Sequence, residues 1–106
     1  MLLGGFRSRE RDAKTDVGRL QRIAKVIDEA IAEARSELDG LQRRMRTDAD
    51  NAGFLFGTGL DSETKDDPKS EAELRGAEMR LTRGEQRVGE LRAHIHRLSS
   101  LKEQLG

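Results

Sequence analysis

Apolar residues recur at alternating spacings of three and four along two long segments of this chain. In the first segment they are Val17, Leu20, Ala24, Ile27, Ile31, Ala34, Leu38, Leu41 and Met45. In the second they are Leu74, Ala77, Leu81, Gly84, Val88, Leu91, Ile95 and Leu98, after which the pattern slips one position to Leu101 and Leu105. This heptad spacing predicts two amphipathic helices, each with one apolar stripe, and we call the stripe positions the seam.

The residues before the first stripe set the predicted start of helix 1. Residues 1–12 are predicted to form a flexible arm, because Gly4 and Gly5 disfavour helix and the arginines that follow them show no apolar periodicity. Helix 1 is predicted over about residues 13–52, and the hairpin domain over 13–106.

The segment between the stripes carries turn-forming residues. Residues 53–69 contain three glycines, an acidic run and the only proline, Pro68, and are predicted to be a loop. Helix 2 is predicted over about residues 70–105, because Ser70 followed by Glu73 forms a capping box at its start.

The two predicted helices have similar lengths and share one loop, which favours an all-α fold in which they lie side by side as an antiparallel helical hairpin with coiled-coil-like heptads. The extended loop could span about 56 Å, so a parallel pair or a swap between two chains is the alternative arrangement.

Three apolar residues of helix 1, Ile23, Val26 and Ala30, lie beside the seam and widen its stripe, and Leu101 does the same near the end of helix 2. Burying an Ile or Val side chain is worth about 1.5 to 3 kcal/mol, so this face is expected to bind a partner. We predict a homodimer that forms a four-helix bundle, and another protein as a further partner of the same face. Small residues that would let helices approach closely are Ala24, Ala34, Ala77, Gly84 and Gly89.

The composition narrows the class of function. Acidic and basic residues number 20 each and are interleaved, a balance that does not favour binding to nucleic acid. Charged residues make up 38% and apolar residues 34%, which is typical of exposed helices with narrow buried stripes. Such a chain has little core in which to enclose a catalytic cavity, so we predict no enzymatic activity, no catalytic residues and no cofactor.

The compartment is inferred from what the sequence lacks. There is no cysteine, the apolar start lacks the features of a secretory signal, and no stretch approaches the ~20 apolar residues of a membrane span. We therefore expect a cytoplasmic protein.

The predicted loop begins with an apolar cluster, Phe54, Leu55 and Phe56, at the tip of the hairpin. Exposed apolar residues at a loop tip indicate a contact with a partner, and these three are predicted partner-binding residues. The alternative is that the phenylalanines fold back and cap the end of the bundle.

Glu90, His94 and His96 form the one cluster that resembles a metal site. Glu90 and His94 share a helix face at a spacing of four, whereas His96 points elsewhere, so two ligands remain and we predict no metal. Two charged residues, Asp48 and Lys102, fall at or near seam positions at opposite ends of the hairpin, and neither is predicted to be catalytic.

These observations favour a non-enzymatic protein–protein interaction module: an adaptor, a scaffold or a small chaperone-like subunit of a larger assembly. One alternative is a peripheral membrane or envelope-associated protein, with or without a contact from the Phe-rich tip. Its hydrophobic contacts would be Met1, Leu2, Leu3 and Phe6, beside Arg7, Arg9 and Arg11. A second alternative is a metal-binding helical bundle.

Overall fold

The computed structural model describes residues 2–57 and 68–106 of the chain, with side chains described for residues 8–51, 53 and 69–106. Those residues form two helices, α1 (Leu2–Gly57) and α2 (Pro68–Gln104), and within the described ranges there is no strand. The molecule is a rod measuring 93 × 16 × 16 Å. The predicted all-α helical hairpin is confirmed.

Ion pairs between the helices fix their relative direction. They join Asp28 to Lys102, Glu37 to Arg87, and Asp48 to Arg80. Residue numbers rise along α1 as they fall along α2, so the helices are antiparallel. Gly84 of α2 lies against Met45 of α1 on the seam. Ala24 lies three heptads before Met45 and Leu105 lies three heptads after Gly84, so the antiparallel register sets Leu105 opposite Ala24.

Burial follows the predicted seam wherever the two helices run side by side. The buried or half-buried seam residues of α1 are Ala24, Ile27, Ile31, Ala34, Leu38, Leu41, Met45 and Asp48. Those of α2 are Leu74, Ala77, Leu81, Gly84, Val88, Leu91, Ile95 and Leu98. Leu91 is the most deeply buried large side chain, 1% exposed. Removal of these side chains from water stabilises the hairpin, and each helix contributes a single stripe.

Small residues on the seam let the helices approach closely at one point. A Cβ added to Gly84 would lie 2.7 Å from Sδ of Met45 and 2.9 Å from its Cγ, which is closer than atoms pack. Ala34 and Ala77 are also buried. Nothing in the hairpin lies within 4 Å of a Cβ added to Gly89, so that residue is not a point of close approach between α1 and α2.

The start of α1 differs from the prediction. The helix begins at Leu2, so the predicted arm over residues 1–12 is helical from that residue onward. The heptad spacing explains this: counted backward from Val17 it falls on Ala13, Glu10, Phe6 and Leu3, three of them apolar. Gly4 and Gly5 each cost a helix about 1 kcal/mol, which a long helix can accommodate.

The loop is shorter than predicted at both ends. α1 continues to Gly57, so Phe54, Leu55 and Phe56 belong to its last turns and not to the loop. α2 begins at Pro68, two residues before the predicted start, because proline needs no hydrogen-bond partner for nitrogen at the first position of a helix. Ser70 is therefore inside the first turn. The rest of the predicted loop, residues 58–67, lies outside the described residues.

α2 ends in a tightened turn close to the predicted place. The N–H of Leu105 donates to the carbonyl of Lys102, and the N–H of Gly106 to that of Glu103, each at 3.1 Å. Gly106 has φ +99°, a conformation that glycine adopts at helix ends. The predicted slip of the seam onto Leu101 is wrong: the spacing continues through Lys102 to Leu105, which is half-buried, while Leu101 is 45% exposed.

Candidate functional site

The two helices do not end together at the end of the hairpin opposite the loop, which we call the open end. Because Leu105 lies opposite Ala24, the part of α1 before Ala24 extends past the last turn of α2. We call residues 2–23 the overhang. At 1.5 Å per residue it is about 33 Å long, and α2 covers none of it.

Exposed large apolar side chains gather at this open end. Among the residues whose side chains are described, six large hydrophobic side chains are exposed, and five of them form what we call the open-end patch: Val17, Leu20, Ile23, Val26 and Leu101. The sixth, Met79, lies toward the loop. Single exposed apolar residues are ordinary on a protein surface, whereas a cluster marks a surface that binds something.

Ile23 and Leu101 occupy one edge of the hairpin, on opposite helices. Ile23 lies two heptads before Glu37 in α1, and Leu101 lies two heptads after Arg87 in α2, so both are displaced toward the open end by the same distance. Since Glu37 contacts Arg87, the same register sets Ile23 across from Leu101. We call this edge the Glu37 edge.

The predicted partner residues of α1 lie on or beside the Glu37 edge. Ile23 is 49% exposed and Val26 is 63% exposed, while Ala30 is half-buried. We call Ile23, Val26, Ala30 and Leu101 the flank. Their side chains are therefore available to a partner in the isolated chain, and which partner uses them stays a prediction.

Sequence reasoning missed Val17 and Leu20 as surface residues. Both were assigned to the seam of the hairpin, yet they are 51% and 42% exposed because α2 ends before reaching them. The sequence does contain a signal for this exposure. When the two stripes are aligned from the loop end, the first seam positions of α1 have no counterparts on α2. The backward extension of the spacing to Ala13 and Glu10 makes the unmatched stripe longer still.

The other predicted partner residues, Phe54, Leu55 and Phe56, are at the opposite end of the rod in the last turns of α1. Their side chains lie outside the described residues. The tip contact therefore stays a prediction, and the structure does not bring these residues together with the flank.

Glu37 and Arg87 form a polar contact between the helices that consists of two hydrogen bonds. Nε and one Nη of Arg87 donate to the two carboxylate oxygens of Glu37, at 2.8 and 3.1 Å. This two-point hydrogen bond from Arg87, with the guanidinium charge added to it, lowers the pKa of Glu37 below its ordinary value. The same contact raises the pKa of Arg87.

The two charged residues at seam positions, Asp48 and Lys102, each form an ion pair with a side chain of the other helix. Nζ of Lys102 lies 2.7 Å from a carboxylate oxygen of Asp28, and Nε of Arg80 lies 3.4 Å from one of Asp48. All four side chains keep contact with solvent, so neither pair is a buried catalytic group. A charged side chain at a seam position therefore costs the fold little stability when an oppositely charged side chain of the other helix lies beside it.

The predicted metal-like cluster is not assembled. Glu90 lies 3.8 Å from Arg87, and in the part of the chain that the structure describes no three histidine or acidic side chains are placed to hold one ion. Open grooves run between the helices; one of them, of about 600 Å³, is lined by Gln42, Met45, Arg46, Glu85, Val88, Gly89 and Arg92. It offers no convergent set of reactive groups.

The surface that stands out is therefore the open-end patch. Neither described helix has a stretch both long and apolar enough to cross a membrane. Comparison with known proteins finds no family model, no curated protein and no solved structure that matches this chain.

Proposed function

We propose that this chain is a non-enzymatic protein–protein interaction module that binds helices of other proteins, and a second copy of itself, at the open end of the hairpin. It would act as an adaptor, a scaffold or a small chaperone-like subunit of a larger assembly in the cytoplasm. The observation that carries the proposal is the open-end patch, which gathers five of the six exposed large apolar side chains of the described residues.

The geometry of the patch favours a helix as the ligand. Val17 and Leu20 continue a seam that, further along α1, already packs against a helix. The flank adds a second apolar strip beside it. An amphipathic helix that lays its apolar face along such a strip buries anchors spaced three and four residues apart, as α2 does on the rest of α1.

The energetics point the same way. Most helical stability in proteins comes from packing of an apolar face, and the apolar face of the overhang is not packed against α2. Full burial of Val17, Leu20, Ile23 and Val26 would each contribute about 1.5 to 3 kcal/mol. A partner helix would therefore stabilise the overhang as it binds.

Site-specific photo-crosslinking in the cells that make this protein tests the proposal. A photoreactive phenylalanine analogue at position 26 should give discrete adducts, and Ile23→Asp in the same chain should remove most of them, because a carboxylate on the flank opposes burial. An adduct near twice the 11.9 kDa chain mass would be a second copy, and other masses would be other proteins.

Met79 provides the matched control. It is also an exposed large apolar residue, 54% exposed, but it lies on α2 away from the open end. The same analogue at position 79 should give few adducts, and Met79→Asp should leave the adducts at position 26 intact. Equal crosslinking at positions 26 and 79 would contradict the proposal.

A further inference from the structure

We propose that the Glu37 edge is a groove for one amphipathic helix of another protein, a helix with apolar side chains at one end and acidic side chains at the other. This inference deepens the proposed function, on which it rests, by naming the chemistry of the partner helix. Its apolar end would cover the flank, and its acidic end would reach arginines in the loop half of the same edge.

Facing residues follow one another along the Glu37 edge at intervals of one heptad. Glu37 contacts Arg87 in the middle of the rod. One heptad toward the loop, the same register sets Arg44 of α1 across from Arg80 of α2. In the opposite direction it leads to the flank. The edge is therefore apolar near the open end and basic toward the loop.

The basic part of the edge has cations without counterions. We call its four exposed arginines the arginine half: Arg44, Arg80, Arg83 and Arg87. Arg87 is held by Glu37, and Nε of Arg80 lies 3.4 Å from a carboxylate oxygen of Asp48. Arg44 and Arg83 form no ion pair with any residue that the structure describes. Carboxylates of a partner would supply the missing charge, and a guanidinium can hold a carboxylate by two parallel hydrogen bonds.

The edge as a whole is positively charged. Besides the arginine half it carries Arg97, against the three acidic residues Glu33, Glu37 and Glu90. Complementary charge selects partners and fixes their register, so this edge favours an acidic partner over a basic one.

Two glycines keep the surface of the arginine half shallow. Gly40 precedes Arg44 by four residues, and a Cβ added to it would lie 3.6 Å from an Nη of that arginine. Gly76 has the same relation to Arg80, at 3.4 Å. Each guanidinium group therefore lies beside bare backbone, and an open hollow of about 420 Å³ adjoins Gly40 and Arg44. A helix that carries Asp or Glu has room to approach both arginines here.

The spacing of the two halves sets the length of the partner helix. Ile23 and Arg44 are three heptads apart, which is about 32 Å along α1. One helix of about 21 residues spans this distance. Between the halves, Glu37 and Arg87 already neutralise each other, so the partner helix needs no charge in its middle.

A second copy of this chain does not supply such a helix for this edge. If two copies packed along the edge with their rods antiparallel, the flank of each would lie on the arginine half of the other. If the rods were parallel, the arginine halves would face each other. Neither arrangement brings acidic side chains to Arg44 and Arg83, so the occupant is a helix of another protein.

A membrane surface is a poorer match than a helix. Anionic headgroups would attract the arginine half, but they would repel Glu33, Glu37 and Glu90, which lie on the same edge. A single helix can place acidic residues beside the arginines alone.

Fluorescence anisotropy of a labelled synthetic peptide, titrated with the full chain at low salt, tests the inference. The peptide has three heptads, with leucines on one face of the first two and glutamates on the same face of the third, and it is made in both sequence orders. One order should bind, and glutamine in place of glutamate should weaken that binding about tenfold. No binding in either order, or equal binding of the glutamine version, would overturn the inference.

Variants of the chain locate the site. Ile23→Asp and Arg44→Glu should each raise the dissociation constant of the peptide about tenfold, with circular dichroism confirming that helicity is kept. Arg46→Glu is the matched control, because Arg46 is exposed and lines the groove on the other side of the hairpin. It should change the constant less than twofold. Equal effects at positions 44 and 46 would indicate non-specific attraction and would overturn the inference.

Co-sedimentation with vesicles of phosphatidylcholine and phosphatidylglycerol tests the membrane as the occupant. Vesicle binding that is lost in Arg44→Glu would assign the edge to a membrane and overturn the inference. If Arg44→Glu left peptide binding unchanged while Ile23→Asp still removed the crosslinks at position 26, the inference would fail and the proposed function would survive. If Ile23→Asp left those crosslinks intact, the proposed function itself would fail.

Discussion

Gly84 is the residue at which the hairpin can least accept a larger side chain. It lies on the seam against Met45, and its missing side chain is what lets α1 and α2 approach there. Gly89, five residues along the same helix, is exposed and has no atoms within 4 Å of its would-be Cβ. Both glycines have the same low helix propensity, but only Gly84 packs against the other helix. Substitutions at the two positions therefore separate the effect of helix propensity from the effect of packing.

We expect Gly84→Leu to lower the free energy of unfolding by about 1 to 3 kcal/mol, the usual cost of overpacking, less what the helix gains by losing a glycine. Gly89→Leu should leave that free energy unchanged or raise it by up to about 1 kcal/mol. Urea denaturation followed by circular dichroism measures both. Equal effects of the two substitutions would mean that the close approach at Gly84 does not contribute to stability.

The seam residues that pack between α1 and α2 were predictable from spacing alone, because heptad periodicity fixes which side of a helix is apolar. The exposure of Val17 and Leu20 was not. It depends on where the neighbouring helix ends, and a stripe on one helix contains no information about the length of the other. The charged seam residues Asp48 and Lys102 were identified from sequence, but their partners depend on the register between helices.

At the level of whole helices, the ion pair between Glu37 and Arg87 allows the pairing of α1 with α2 in the middle of the rod to be tested. Arg87 holds Glu37 by two hydrogen bonds, and this contact lowers the pKa of Glu37 below its ordinary value of 4.5. A carboxyl whose pKa is lower in the folded than in the unfolded state stabilises the fold above the unfolded pKa. That contribution is lost as the pH falls through the folded pKa.

We therefore expect Glu37→Gln to lower the melting temperature at pH 7 and to have no effect once the pH is below the folded pKa of Glu37. Thermal melts of the wild type and the variant at a series of pH values between 7 and 2 would measure the difference, which should also shrink in 1 M salt. Glu33→Gln, at an exposed position of α1, is the matched control. A Glu37→Gln effect that persisted unchanged in acid would show that the ion pair is not its cause.

The existence, order and antiparallel pairing of the two helices followed from the sequence, but their ends did not. Gly4 and Gly5 disfavour helix, yet α1 begins at Leu2, because the apolar spacing continues backward through Ala13 and Phe6. At the start of α2 the capping box predicts a start at Ser70, whereas the helix begins at Pro68, a residue that is also compatible with a helix start. Weak local signals are easily outweighed in helices that are held by a long apolar stripe.

The whole molecule is a rod with two unlike ends. One end carries the loop, and the other carries the overhang and the flank, where the exposed apolar residues gather. We propose that the open end binds a second copy of this chain and helices of other proteins, so that the chain would link partners through this end. Two rods that associate through their ends form a dimer longer than either rod, whereas side-by-side association leaves the overall length nearly unchanged.

Small-angle X-ray scattering at a low and a high concentration, with the mass determined from the same data, tests this most directly. The monomer should measure about 93 Å. Two rods that overlap only along their overhangs, each about 33 Å long, would give a dimer of about 150 Å. We predict that mass and length increase together. A doubled mass with a maximum dimension still near 93 Å would indicate side-by-side packing and would contradict binding through the overhang, as would a mass that never changes.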